Sequence, residues 1–274
     1  MKKILFLISI LQFSLLYSQD EIILKGYYSP QKKYNQIIQQ TSETTLEYIG
    51  SEELRENLKK KNIQNPTITN QSSTNEAVVF TGKLYNSKNF PLKMKFTKTT
   101  NSSETTPILE GTEIYGTGTI GEMPKLDSIT SNRMDENSKK SILESLQATF
   151  SQLNFPERKI KIGESFSRKS PLSIPISGDT INISMNSSFK LISISNGKAN
   201  LDVVVIFTME TNSSKFEVTA NGQGKGIMIY DIKNNFISKY ETDTEMNMYF
   251  KTEKFDILMK SKSGYKQKVE IFNN

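Results

Sequence analysis

The sequence contains no cysteine, no histidine and no tryptophan. Without cysteine, the chain has no disulfide, no thiol nucleophile and no thiolate ligand for a metal ion. Without histidine, it lacks the usual general base near neutral pH and the commonest metal ligand. These absences exclude Ser-His-Asp hydrolysis, His-ligated zinc chemistry and haem ligation through histidine. Carboxylates, lysine and tyrosine are the side chains that remain for catalysis.

Charge and apolar content are both modest. The formal net charge is +6, and only 35% of the residues are hydrophobic. The basic residues are spread along the chain instead of forming a stripe, so we expect no nucleic-acid partner. So low an apolar fraction is typical of sheets that have one face in solvent, and it argues against a deep α/β core.

The N-terminus has the pattern of a secretory signal peptide. Two lysines follow Met1, and an apolar run extends from Ile4 to Leu16. This run is shorter than the about 20 residues that a membrane-spanning helix needs, and no later segment qualifies. We predict a signal peptide at 1–18, cleaved after Ser18, and a single mature β-rich domain at 19–274. The expected location is therefore outside the cytoplasm, either periplasmic or secreted.

Most later segments alternate apolar and polar residues with period two. The alternation is clearest in Leu92–Phe96, Ile181–Met185 and Met246–Phe250, and it predicts antiparallel strands with one face in solvent. The run Leu201–Met209 is almost continuously apolar and predicts a central strand buried on both faces. The turn signals after Lys159 predict a meander of about eight strands.

Turns and polar segments punctuate these strands. Asn196-Gly197 predicts a tight hairpin, and Asn234-Asn235 predicts a second reversal, because asparagine tolerates positive φ. The stretches 65–76 and 98–106 are rich in Ser, Thr and Asn. We predict loops or weak edge strands there.

Two helices interrupt the β pattern. Ser51 is expected to cap the first, with acids in its first turn and lysines in its last, as the helix dipole favours. The second is predicted from Asp135 to Leu153, and it has one apolar face made of Ile142, Leu143, Leu146, Phe150 and Leu153. That face should pack on the concave side of a sheet. The region 131–156 is also where the domain would subdivide, if the sheet did not continue across it.

Gly116, Gly118 and Gly121 form a literal G-x-G-x-x-G motif. In a dinucleotide-binding fold, this motif must follow a buried strand and open a helix. Here Glu122-Met123-Pro124 follows, with no helical period, so the motif predicts the end of a strand. We expect no cofactor.

A second glycine pattern is the candidate ligand site. Gly222, Gly224 and Gly226, called here the glycine strip, recur with period two and continue the face of Phe216 and Val218. One interpretation is a floor where a ligand approaches the backbone closely. The other, commoner for glycines in strands, is a bend or close packing of the second helix. The candidate ligand-binding residues are Phe216, Val218, Gly222, Gly224 and Gly226.

Carboxylates and tyrosines also cluster. Glu241, Asp243 and Glu245 share one face of a strand, about 7 Å apart along it. Such acids could act as an acid–base pair or bind Ca²⁺, but a straight strand spreads them apart, so a solvated outer face is favoured. The tyrosines Tyr27, Tyr28, Tyr34 and Tyr48 could line a pocket, stack on sugars or cap a sheet. We expect no catalytic and no metal-ligating residues.

Three stretches together show a family resemblance. LKGYYSPQKKYNQIIQQT, FPERKIKIGESF and GQGKGIMIYD resemble elements of secreted Bacteroidota proteins that share a domain of unknown function. That family has a tryptophan at the end of its V-x-V-G-D-S-W element, where this chain has Phe166. The resemblance implies an exported β protein over most of the mature chain and transfers no catalytic residue.

The expected fold is mainly β with two helices. We predict a curved antiparallel sheet or incomplete barrel, with the second helix near its open side. Curved sheets form apolar troughs. The leading hypothesis is therefore a non-enzymatic envelope protein that binds or carries a hydrophobic ligand such as lipid, without an integral membrane segment. The alternative is an envelope scaffold that recognises a protein or glycan, and a carboxylate-only glycan hydrolase ranks third.

Overall fold

The computed structural model describes residues 20–102, 108–152, 157–176, 179–209 and 217–274. The predicted signal peptide and the predicted site residue Phe216 lie outside the described residues. Within them, no helix is both long and apolar enough to cross a bilayer.

The described residues form thirteen strands and two helices. The helices are α1 (Glu52–Lys60), between β2 and β3, and α2 (Glu136–Gln152), between β6 and β7. The strands are β1 (Glu21–Leu24), β2 (Lys32–Ile49), β3 (Thr67–Thr81), β4 (Asn89–Asn101), β5 (Glu113–Thr119), β6 (Lys125–Thr130), β7 (Arg158–Lys161), β8 (Ser165–Ile176), β9 (Asp179–Ser195), β10 (Lys198–Met209), β11 (Glu217–Asp231), β12 (Phe236–Lys251) and β13 (Asp256–Asn273).

Eleven of these strands form one antiparallel sheet, in the order β6-β5-β4-β3-β2-β13-β12-β11-β10-β9-β8. The two edge strands, β6 and β8, do not pair with each other, so the sheet is curved and open as predicted. Strands β2 and β13 pair along their whole length, which joins the N-terminal strands to the C-terminal meander. One sheet therefore includes strands from both sides of α2. The remaining strands, β1 and β7, form a separate two-stranded ribbon.

One strand prediction was wrong, and another was right only in part. The run Leu201–Met209 lies in β10, but only its inward face is buried; Val204 and Ile206 face outward and are 48% and 50% exposed. Of the polar stretch 65–76, residues 67–72 pair with β2 alone among the described strands, as a weak edge strand would. Residues 73–76 pair with both β2 and β4, so there backbone pairing and the strand preference of threonine outweigh the polar composition.

The predicted turns and helix starts are confirmed, whereas Leu153, the predicted end of the second helix, lies outside the described residues. Asn196 and Gly197 both have positive φ, at 50° and 69°, as the hairpin between β9 and β10 requires. Asn235 has a φ of 51° in the turn from β11 to β12. The Ser51 hydroxyl accepts a hydrogen bond from the Leu54 amide at the start of α1. The Asp135 carboxylate accepts one from the Ser138 amide, 2.9 Å away, at the start of α2.

Three apolar clusters lie on the inward face of the sheet. The first lies on β8–β11 and is covered by the β1–β7 ribbon through Ile22, Leu24 and Ile160. The second lies on β2–β6 and is covered by α2. The third joins β9, β11 and β12 at the far end, where the sheet curls on itself. The inward face is thus packed at both ends, and its middle lies between the clusters.

Helix α2 is anchored to the edge strand β6. The Gln147 side chain accepts a hydrogen bond from the Leu126 amide at 2.8 Å and donates one to the Pro124 carbonyl at 3.1 Å. These bonds satisfy backbone groups of an edge that would otherwise be open to pairing. The buried side chains of Ile142 and Phe150 confirm that the apolar face of α2 packs against the concave side.

Candidate functional site

A cavity of about 360 Å³ remains between α2 and the inward face of β2, β3, β4 and β13. This space, called the trough, is of the size of small-molecule sites, which start at about 300 Å³. Its walls are mainly apolar and aromatic, and include Tyr28, Ile38, Ala77, Phe96, Leu146 and Phe150. The trough can therefore accept apolar groups without leaving them in contact with charge.

Aromatic rings build one wall of the trough. The ring of Tyr28 meets those of Tyr34, Phe236 and Phe150, with centroids 4.8, 5.2 and 6.2 Å apart. Two of the tyrosines grouped from the sequence therefore come together here. Tyr48 does not join them; its ring contacts Phe255 at 5.8 Å, in the loop before β13.

A buried hydrogen bond fixes this wall. The Gln36 amide donates to the Tyr28 hydroxyl at 2.8 Å, and both side chains are buried. Burial raises the pKa of Tyr28 far above its ordinary value, although the hydrogen bond from Gln36 opposes the shift. The phenol is therefore neutral at any physiological pH, and the wall presents no charge to the trough.

Replacing Tyr28 by phenylalanine should destabilise the protein by about 1–3 kcal/mol, because the Gln36 amide would stay buried without an acceptor. Tyr115→Phe is the matched control. The Tyr115 hydroxyl donates to Glu113 on the surface, so this variant should lose no more than about 0.5 kcal/mol of its free energy of unfolding. Urea unfolding of the two variants measures both values. Equal losses would contradict the role given to the buried bond.

The middle of the inward face carries two consecutive rows of uncharged polar side chains, called the hydroxyl rows. Residues that pair across strands share a face, so the register defines each row. The first row is Ser73, Gln40, Tyr265 and Thr242, and the second is Gln71, Ser42, Ser263 and Thr244. They line a second cavity of about 380 Å³. Gln40 and Tyr265 line both cavities, so the two adjoin.

The inward positions of the central strands carry no charge. This holds for β2 from Tyr34 to Tyr48 and for the corresponding positions of β3, β13, β12, β11, β10 and β9 in the described part of the chain. On β8 the inward position opposite Ser187 is Arg168, which is half-buried. Burial lowers the pKa of Arg168, and the Tyr240 hydroxyl nearby opposes the shift. The guanidinium remains charged at neutral pH.

Of two neighbouring tyrosines, Tyr240 lies near this arginine and Tyr265 lines both cavities. Tyr240 packs against the first apolar cluster, and its ring meets that of Tyr265 at 5.9 Å. Burial raises the pKa of Tyr265 to about 12, so its hydroxyl is neutral and donates to Gln267 at 3.1 Å. The side of the hydroxyl rows that faces Arg168 is therefore neutral as well.

The glycine strip lies at one end of the hydroxyl rows. Gly226 pairs with Thr242 and Gly224 with Thr244, so both continue the rows onto β11. A Cβ atom at Gly226 would lie 1.9 Å from the carbonyl oxygen of Glu241 on β12. The backbone of β12 thus folds closely over β11, and the strip marks a sharp curl of the sheet. This agrees with the bend interpretation, and ligand contact at the strip remains a prediction.

The candidate residue Val218 lies on the same face of β11 as the strip, four residues before Gly222, as predicted. It is 3% exposed inside the third apolar cluster, away from the trough. The sequence did not single out the hydroxyl rows, although a signal was present. The period-two pattern that starts at Tyr34 and Gln36 continues through Gln40, Ser42 and Thr44 without a charge.

The remaining motifs have structural roles. Glu241, Asp243 and Glu245 point outward; Lys239 lies 3.1 Å from Glu241, and Lys262 lies 3.9 Å from Glu245. Among the described residues, no group of three acidic side chains could hold a metal ion. Of the G-x-G-x-x-G motif, two glycines lie in β5 and the third, at a φ of 80°, lies in the turn before β6. A strand follows the motif instead of a helix, as predicted.

Comparison with known proteins gives no family for the chain. No protein-family model matches it, and no curated protein matches it. Among solved structures, 99% of the chain aligns with 65% of the Salmonella type III secretion injectisome secretin InvG in its open gate state, at 8% identity and a TM-score of 0.22. All of it aligns with 66% of the Vibrio cholerae type IV competence pilus secretin PilQ, at 9% identity and a TM-score of 0.17. The chain spans less than two thirds of either secretin. Scores this low carry no argument.

Proposed function

We propose that the protein is an exported, non-enzymatic envelope protein that binds or carries an apolar ligand such as lipid. The observation that carries this proposal is the trough, an apolar cavity that remains open beneath α2. A helix that served only to complete the core would be expected to fill this space, because protein interiors are close-packed. Export is proposed from the signal-peptide pattern at the N-terminus.

Energetics support an acyl chain as the occupant. Each buried methylene contributes about 0.8 kcal/mol, so roughly eight of them supply about 6 kcal/mol of binding free energy. The flexible side chains of Met94 and Leu146 line the trough beside its aromatic wall. Such a lining adapts to chains of different shape.

A second candidate function is supported by the outward face. Val204, Ile206 and Ile227 are exposed there, on the neighbouring strands β10 and β11. Apolar side chains that are grouped on a surface often mark a contact with another protein. The alternative is therefore an envelope interaction module, in which the trough has no ligand.

Titration with an apolar, environment-sensitive dye separates the two candidates. A carrier should bind the dye saturably at one site per chain, and a fatty alcohol should displace it. The same titration in urea, above the unfolding midpoint, controls for binding to exposed apolar segments. A folded protein that shows no saturable binding would contradict the carrier proposal and favour the interaction module.

A further inference from the structure

The two inward cavities differ in chemistry although they adjoin. The trough is lined mainly by aromatic and aliphatic side chains, whereas the second cavity is lined by hydroxyl groups, amides and one phenol. Gln40 and Tyr265 stand at the junction and line both. This is the arrangement that an amphiphile requires: a dry compartment for its chain and a polar compartment for its head.

Based on the proposed function, we infer that the ligand carries an uncharged, hydroxyl-rich head group, of glycosyl or glycerol type, which binds to the hydroxyl rows. Its acyl chain occupies the trough. The shared chemistry of the two head groups is a set of neutral hydroxyl groups that both donate and accept hydrogen bonds.

The side chains of the rows can exchange their present hydrogen bonds for bonds to such a head group. The Ser73 hydroxyl donates to the Gln40 side chain at 3.5 Å, and the Thr244 hydroxyl donates to the Ser263 carbonyl at 3.4 Å. Both distances are at the long limit for hydrogen bonds, so little is lost when a ligand replaces them. Serine and threonine hydroxyls and the glutamine amide each offer a donor and an acceptor, which matches sugar or glycerol hydroxyls.

A charged head group fits the same place poorly. The described residues that line the second cavity are all uncharged, so this lining offers a carboxylate or phosphate no cation. The wider cavity beside it, which also includes the second row, has more acidic than basic side chains in its lining. Arg168 lies in line with the second row along the sheet, and the neutral side chain of Tyr240 lies close to it, beside Tyr265.

The test is competition against the apolar dye by four amphiphiles with the same ten-carbon chain, each below its micelle concentration. An alkyl glucoside and a monoacylglycerol carry neutral head groups, a fatty acid carries an anion, and an alkyl ammonium carries a cation. We expect one or both neutral compounds to bind at least tenfold more tightly than either ion. The order of the two neutral compounds distinguishes a sugar from a glycerol head group.

Gln40→Met removes the amide at the junction and keeps the length of the side chain. It should weaken the binding of the preferred neutral amphiphile about 3- to 10-fold, the effect of one hydrogen bond of about 0.5–1.5 kcal/mol. The affinity for the fatty acid should not change. Gln39→Met is the matched control, because Gln39 is the residue before Gln40 in β2 and its side chain faces outward. It should change neither affinity.

The outcomes separate the two proposals. If the dye binds, but an ionic amphiphile binds as tightly as the neutral ones or more tightly, the inference of a neutral head group is wrong. The carrier function is still supported in that case. If the fatty acid binds most tightly and Arg168→Gln removes that preference, the head group lies at Arg168 and the inference fails. If the folded protein binds neither dye nor amphiphile, the carrier function itself fails.

Discussion

A Leu146→Trp variant is expected to lose apolar-ligand binding while it keeps its fold. Leu146 lies on α2 and lines the trough, so an indole there takes up space that the ligand needs. Overpacking of this kind costs about 1–3 kcal/mol, which corresponds to roughly tenfold weaker binding or more. Dye titration measures the loss, and circular dichroism verifies the fold.

The same variant reports on its own position, because the natural chain contains no tryptophan. Its indole should emit at short wavelength and be quenched by a brominated acyl chain, if any such chain still enters. Lys140→Trp is the matched control. Lys140 lies on α2 with its side chain 77% exposed, so this variant should emit as a solvated indole and bind dye normally. Unchanged dye affinity in Leu146→Trp would show that the ligand does not occupy the trough.

A Gly226→Ala variant is expected to lose a large part of its stability. The added methyl group would lie 1.9 Å from the Glu241 carbonyl oxygen, a backbone atom that cannot move without shifting β12. Forced backbone shifts of this kind cost about 1–3 kcal/mol or more. Against a total stability of about 5–15 kcal/mol, this lowers the urea midpoint substantially.

Gly264→Ala provides the control for the glycine strip. Gly264 lies in the same sheet, on β13, but an added methyl group there meets the side-chain oxygens of Thr41 at 2.7 Å and Asp243 at 3.2 Å. Side chains can rotate away, so the loss should stay below about 1 kcal/mol. Similar losses in the two variants would mean that the strip does not form a sharp curl of the sheet.

Local chemistry made much of the fold predictable from the sequence. Helix α2 follows from four apolar residues at helical spacing, Ile142, Leu143, Leu146 and Phe150, and the β9–β10 hairpin follows from Asn196-Gly197. The open antiparallel sheet follows from the period-two alternation of its strands. Each of these signals lies within about 20 residues and requires no knowledge of the tertiary structure.

Features that depend on distant packing were not predictable. Residues 73–76 of β3 are polar, and only their pairing with β2 and β4 shows that they are central. The run Val203–Ile206 is apolar on both faces of β10, yet its outward side chains are exposed because no described layer covers them. The trough and the hydroxyl rows arise where four to six strands from both ends of the chain meet, and no single segment encodes them.

Native mass spectrometry of the protein purified from its own envelope tests the carrier function most directly. A lipid extract of the same sample and a parallel preparation of Leu146→Trp accompany it. The account predicts an added mass that disappears on denaturation, appears in the extract as an acyl compound with a neutral head group, and is depleted in the variant. A bare polypeptide mass under the gentlest conditions, with no acyl compound above background, would contradict it.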